Sequence, residues 1–167
     1  MNILSLQNIS YDRGTDRIID LAKMRRNDRF IICGVPRDDF GWHLMASKVW
    51  EPNMELVGLV TPKEVLKMAD VLIRLTRRND PWGRDIIEAL AFGKPVIATG
   101  TWDGFVKHYQ NGFLVTPYST ALVSHYLDKI KELPRVKCEL FSPMNADLIR
   151  GIYESIIRPK PVNAGWF

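Results

Sequence analysis

The residues richest in chemistry lie between Asn79 and Gly100, in the run NDPWGRDIIEALAFGKPVIATG. Asp80 falls in a loop after an apolar, strand-like run. Gly83 lets a ligand come close to the backbone. A helix opens directly after it, and its unpaired N–H groups and positive dipole end suit an anion. Glu88 lies on that helix, eight positions after Asp80. Ala89, Ala91 and Gly93 are small and let the helix pack close to a sheet. Lys94-Pro95 then turns into a buried strand. By spacing alone the same run also suits an ordinary α/β unit, with Asp80 a turn acid and Glu88 a solvated helix acid.

Other reactive side chains form no comparable group. His43, His108 and His125 are scattered, without the spacing of a zinc site, and read as surface or packing residues. No metal site is expected. Cys33 and Cys138 are too few for a disulfide framework and read as thiols in a reducing compartment.

The elements around this run alternate. Ile3–Leu6, Phe30–Cys33, Met54–Val57, Val71–Leu75, Pro95–Ala98 and Phe113–Val115 read as short apolar strands. Between them, Asp16–Met24, Phe40–Val49, a helix opened by Thr61-Pro62-Lys63-Glu64, Asp85–Phe92 and Ala121–Leu133 read as helices. Gly14 and Thr15 are placed as turn and N-cap of the first, and Thr61 as N-cap of the third, with Pro62 at its first helical position. Continuous apolar strands of this length are buried on both faces. The order predicts an α/β fold: a doubly wound, Rossmann-like open parallel sheet with helices on both faces. Ligands of such sheets bind beyond the carboxyl ends of the strands.

Composition bounds the function. The 167 residues suit one domain, and 46% hydrophobic with 25% charged residues is the balance of a folded globular chain rather than a disordered one. A net charge of +4 permits anionic partners without requiring them, and no nucleic-acid-binding signature accompanies it. No apolar run approaches the roughly 20 residues that span a bilayer, and MNILSLQNIS lacks the pattern of a secretory signal. A cytoplasmic protein is expected, with peripheral association at a membrane surface left open.

The Asn79–Gly100 run resembles the nucleotide-sugar-binding motif of glycosyltransferase family four, retaining enzymes of the GT-B fold. That family has two glutamates separated by seven residues, a Gly-Phe-Gly after the first, and Glu-Ala-x-Ala-x-Gly-x-Pro-Val-Ile-Ala at the second. This chain has Asp80-Pro81-Trp82-Gly83 and then EALAFGKPVIA from Glu88 to Ala98. Arg13-Gly14 falls where the family has Lys-Gly. The blocks MELVGLVTPKEVLKMADVLI and NGFLV also occur in family order, so the resemblance covers residues 1 to about 133. It implies a single GT-B half, the C-terminal domain that binds a UDP- or GDP-sugar donor, with hexosyl transfer as the reaction and no cofactor beyond the donor.

The resemblance also assigns roles. Glu88 takes the place of the acid that holds the ribose hydroxyls. Asp80 stands for the acid that contacts the transferred sugar, and Arg13 for the cation that neutralises the diphosphate; these two are the candidate catalytic residues. Gly83 and Arg84 match the backbone that cradles sugar and diphosphate, with Trp82 beside them. Gly58, Leu59 and Val60 match the wall against the base. Asn8 stands where the family commonly has a diphosphate-gripping arginine and supplies no charge. The acid of the loop after the fifth strand is absent or shifted to Asp103. Arg74, Arg77 and Arg78 could replace the missing phosphate charge, or form a solvated basic loop.

The resemblance further implies a missing partner. Family members carry an acceptor-binding domain before the donor domain, whereas Met1 lies just before the first donor-side strand. An acceptor domain or chain is therefore an expected partner. The donor domain is expected over residues 1–158. Its last helix, about 143–158, opens at Ser142-Pro143 and carries an apolar stripe from Leu148 to Ile157. An irregular tail is expected over 159–167. The alternative is a non-catalytic, degenerate transferase-like module that binds another chain. A third, weaker reading is another doubly wound nucleotide protein such as a dehydrogenase; against it, Gln7-Asn8-Ile9-Ser10 stands in place of the glycine-rich turn after the first strand.

Overall fold

In the computed structural model, residues 1–47 and 49–134 are described, and they belong to one unit, Met1–Lys137. The expected helix over 143–158, the tail over 159–167 and Cys138 lie outside the described residues.

Six short apolar runs become the strands β1 (Asn2–Leu6), β2 (Arg29–Cys33), β3 (Met54–Leu56), β4 (Val71–Arg74), β5 (Val96–Thr99) and β6 (Gly112–Val115). They pair in parallel, in the order β3-β2-β1-β4-β5-β6. This is the doubly wound arrangement, and the winding reverses between β1 and β4. Ile3, Leu4, Phe30, Ile31, Leu72, Ile73, Val96 and Ile97 are all buried, as expected of strands covered on both faces.

The helices are α1 (Thr15–Met24), α2 (Asp39–Ser47), α3 (Pro62–Met68), α4 (Arg84–Ala91) and α5 (Thr120–Lys129), the last continued by a tight turn over Ile130–Glu132. In α1, Ile18, Ile19, Leu21 and Ala22 form the buried face. In α4, Ile86, Ala89 and Leu90 do so, joined by the buried acid Asp85. Among the described residues no helix is long and apolar enough to cross a membrane.

Local chemistry explains the shifted boundaries. Thr15 is not the N-cap of α1 but its first residue; Gly14 occupies the cap at φ 71°. A Cβ at Gly14 would lie 2.1 Å from the Leu75 carbonyl oxygen, so only glycine fits. The Thr15 hydroxyl instead accepts from the Ser10 N–H at 3.0 Å and lies 3.1 Å from the Ser10 carbonyl, pinning the β1–α1 loop. Thr61 does hold the cap position of α3, but its side chain makes no capping bond; its carbonyl accepts from Glu64 at 3.0 Å. Strand β5 starts at Val96 because Pro95 has no N–H to give the ladder; its carbonyl still accepts from Leu72 at 3.0 Å. Helix α5 tightens before Leu133 because Pro134 follows.

Candidate functional site

Strand ends and one helix start meet at the point where the winding reverses. The loops after β1, β2, β3 and β4 and the first turns of α4 enclose a cleft of about 500 Å³. Asn8 and Arg13 enter it from the loop after β1, and Gly58, Leu59 and Val60 from the loop after β3. Asp80, Trp82, Gly83, Arg84 and Glu88 complete it from the loop after β4 and from α4. Asn8, Arg13, Gly58 to Val60, Asp80, Trp82 to Arg84 and Glu88 therefore line one cavity, whereas Arg77, Arg78 and Asp103 do not.

The two acids differ in surroundings. Glu88 is on the second turn of α4, with about a third of its side chain exposed and Arg84 Nε 3.7 Å from its Oε1. Asp80 is more committed. Its Oδ1 accepts from the Thr76 hydroxyl at 2.6 Å, and its Oδ2 lies 3.5 Å from Arg74 Nη2.

The cations differ as well. The Arg13 backbone is fixed: its carbonyl accepts from Gln7 Nε2 at 2.8 Å and its N–H reaches Ser10 Oγ at 3.3 Å. Its guanidinium forms no ion pair among the described residues. Arg84 is almost fully exposed at the mouth. Arg13 is thus the cleft cation without an ion-pair partner among the described residues, whereas Arg84, beside the N-terminus of α4, faces Glu88.

The arginines after β4 are not unpaired phosphate ligands, because each meets a carboxylate. The solvated-loop reading fits Arg78, which is two-thirds exposed, but not Arg74 or Arg77. Arg74 is buried and donates from Nη1 to both Asp85 carboxylate oxygens at 2.8 Å. Arg77 binds Asp16 through two nitrogens at 2.8 and 2.6 Å, with its guanidinium 3.5 Å from the centre of the Tyr11 ring. Arg78 binds Asp12 at 2.7 Å. Arg77 and Arg78 thus tie the Arg13 loop to the Asp80 loop from outside the cleft. Burial opposes ionisation of Asp16, yet the hydrogen bonds and charge of Arg77 outweigh it and hold this carboxyl below the usual range.

Asp103 does not replace the missing acid of the loop after β5. It is exposed, 3.9 Å from Lys107, and stands outside the cleft. His108 is a packing residue: its Nδ1 accepts from the Leu114 N–H at 2.9 Å, and burial pushes its pKa down. His43 and His125 are exposed on α2 and α5. No three His, Cys, Asp or Glu side chains gather to hold a metal ion among the described residues.

Sequence reasoning missed part of the lining. Gln7 is buried at the end of β1, with Oε1 unpartnered, and Cys33 and Gly34 close the cleft at the end of β2. Burial, with the Glu55 charge nearby, pushes the Cys33 thiol up to about 11. The Arg74–Asp85 pair was also missed. Its signals were an arginine closing the apolar run VLIR and an acid on the inward face of α4.

Comparison with known proteins supplies the family. The profile of the family described as Glycosyl transferases group 1 matches residues 2–150. A curated relative, an uncharacterized 42.6 kDa protein in the cps region of Klebsiella pneumoniae, is 25% identical over 89 residues, which are 53% of this chain and 23% of that protein. Among solved structures, Anabaena HepE in complex with UDP and glucose superposes with a TM-score of 0.73 at 21% identity, over 93% of this chain and 47% of that one. Sucrose-phosphate synthase from Thermosynechococcus elongatus gives 0.68 at 17% identity, over 92% and 46%. The chain thus spans less than half the length of these relatives. With the profile matching most of its length and the fold agreeing, the chain belongs to the group 1 glycosyl transferases.

Proposed function

We propose that this chain is the donor-binding half of a retaining glycosyltransferase of the family-four type, transferring a hexose from UDP or GDP, with the acceptor side supplied by another domain or chain. The observation that carries the reading is the single cleft at the β1/β4 switch point, where both acids, the unpaired Arg13 and the start of α4 face one space. That a similar fold, HepE, has been captured with UDP and glucose supports a nucleotide sugar as the ligand.

The chemistry follows from these groups. Cleaving the sugar–phosphate bond builds negative charge on the departing diphosphate. The α4 N–H groups, with Arg13 and Arg84 lining the same cleft, supply positive groups beside that charge, which stabilise the transition state. The Asn8 amide donates to phosphate without adding charge. Glu88 accepts from the ribose hydroxyls, and Asp80 is aimed at the sugar. Gly58 to Val60 offer backbone to the base, and exposed Trp82 flanks the mouth. The reading needs no cofactor beyond the donor.

Calorimetry with UDP, GDP and ADP tests this directly. One of them is expected to bind, and Glu88→Ala to weaken it by about tenfold, the loss of a charged hydrogen-bond acceptor. No binding at millimolar concentration would refute the proposal, and unchanged affinity in the variant would remove Glu88 from the site. A second reading, a non-catalytic partner-binding module, is favoured by Asn8 in place of a cation and by Asp103 outside the cleft. Transfer or donor hydrolysis by the chain would exclude it.

A further inference from the structure

Two charges in the floor of the cleft have no role in the reading above. Arg74 ends β4 and Asp85 lies in the first turn of α4, and both are more than nine-tenths buried. A buried ion pair gains little stability over an apolar pair of similar volume, so its geometry has to be explained by something else.

The pair supports one loop at three places. Arg74 Nη1 holds Asp85, and so the start of α4, at 2.8 Å. Arg74 Nε donates to the Asp80 carbonyl at 3.3 Å, and Nη2 stands 3.5 Å from the Asp80 carboxylate. Gly83 rests directly on the pair: a Cβ there would lie 2.5 Å from Asp85 Oδ1 and 2.9 Å from Arg74 Nη1. With the Thr76 hydroxyl on Oδ1, the Asp80 carboxylate is restrained through both oxygens. Glu88 and Arg13 make no contact with the pair among the described hydrogen bonds and ion pairs.

We propose that Arg74 and Asp85 are positioning residues for the sugar end of the cleft: they set the Asp80 carboxylate and the Gly83 backbone toward the sugar of the donor, and leave the nucleotide end to Glu88. This rests on the donor-binding reading. It assigns the pair to the increment in affinity that the sugar adds, not to nucleotide affinity as such. Lysine cannot replace Arg74, because one ammonium cannot reach Asp85 and both Asp80 groups in the planar fork that guanidinium provides.

The test uses the double variant Arg74→Leu/Asp85→Leu in the full chain. Removing one partner alone strands a buried charge and strongly destabilises the fold, whereas replacing both by apolar residues is commonly tolerated. Affinities for the nucleoside diphosphate and for its hexose conjugate are measured beside hydrogen exchange of the amides of residues 79–84. The proposal expects the affinity ratio of conjugate to diphosphate to fall by about tenfold, and those amides to exchange faster. Arg74→Lys should show the same loss of ratio. An unchanged ratio, or an equal loss for both ligands, overturns the positioning role. Unchanged exchange overturns it independently of any ligand. A wild-type chain that binds neither ligand overturns the donor-binding reading, and the sugar assignment with it.

Discussion

At the scale of single residues, charge pairing decides which side chains can meet a ligand. Arg74, Arg77 and Arg78 are occupied by Asp85, Asp16 and Asp12, and Arg84 faces Glu88. Arg13 is left without an ion pair among the described residues. Asp16 gives a measurable consequence. It sits in the first turn of α1 and carries the Arg77 bond that joins two functional loops. Its folded pKa is depressed, so its stabilising effect is fully present above the unfolded value of about 4 and is lost as pH falls through the folded value. Asp16→Asn should therefore destabilise the protein by about 0.5–1 kcal/mol at neutral pH. Denaturant melts should show the gap to wild type closing as pH falls below about 4; a gap that persists would assign the effect to packing. Asp80 and Glu88 were legible in the sequence because their motif is local. The partners of Arg74, Arg77 and Arg78 were not, because a run of arginines does not say which carboxylates the fold will bring against it.

Elements were read more fully than residues. Strand apolarity and helix periodicity are local properties, and each predicted element within the described residues lies within a few residues of the observed one. What stayed hidden was cap chemistry set by tertiary approach. Thr15 has the residue type of an N-cap, yet Gly14 takes the position because the backbone of Leu75 passes 2.1 Å from where a Cβ would stand. Gly14→Ala should accordingly cost about 2 kcal/mol or more, from the left-handed backbone and the collision together. A thermal melt within a degree of wild type would contradict this. The contact also joins the β1–α1 loop to the end of β4, the two segments that carry Arg13 and Asp80.

For the whole molecule, the parallel order β3-β2-β1-β4-β5-β6 puts the winding reversal between the strands that feed the two functional loops. The alternation of strands and helices predicts such a reversal, and the cleft forms there because neighbouring loops diverge on opposite sides of the sheet. The sequence reading placed candidate residues on separate segments spanning Asn8 to Glu88; folding brings them to one cavity. The measurement that tests this most directly is an amide chemical-shift map of the chain titrated with UDP and GDP. Saturable shifts for one of them should concentrate at Asn8, Arg13, Gly58 to Val60 and Gly83 to Glu88. Shifts that are absent for both, or centred at the opposite end of the sheet around Asp28 and Asp70, would contradict the account.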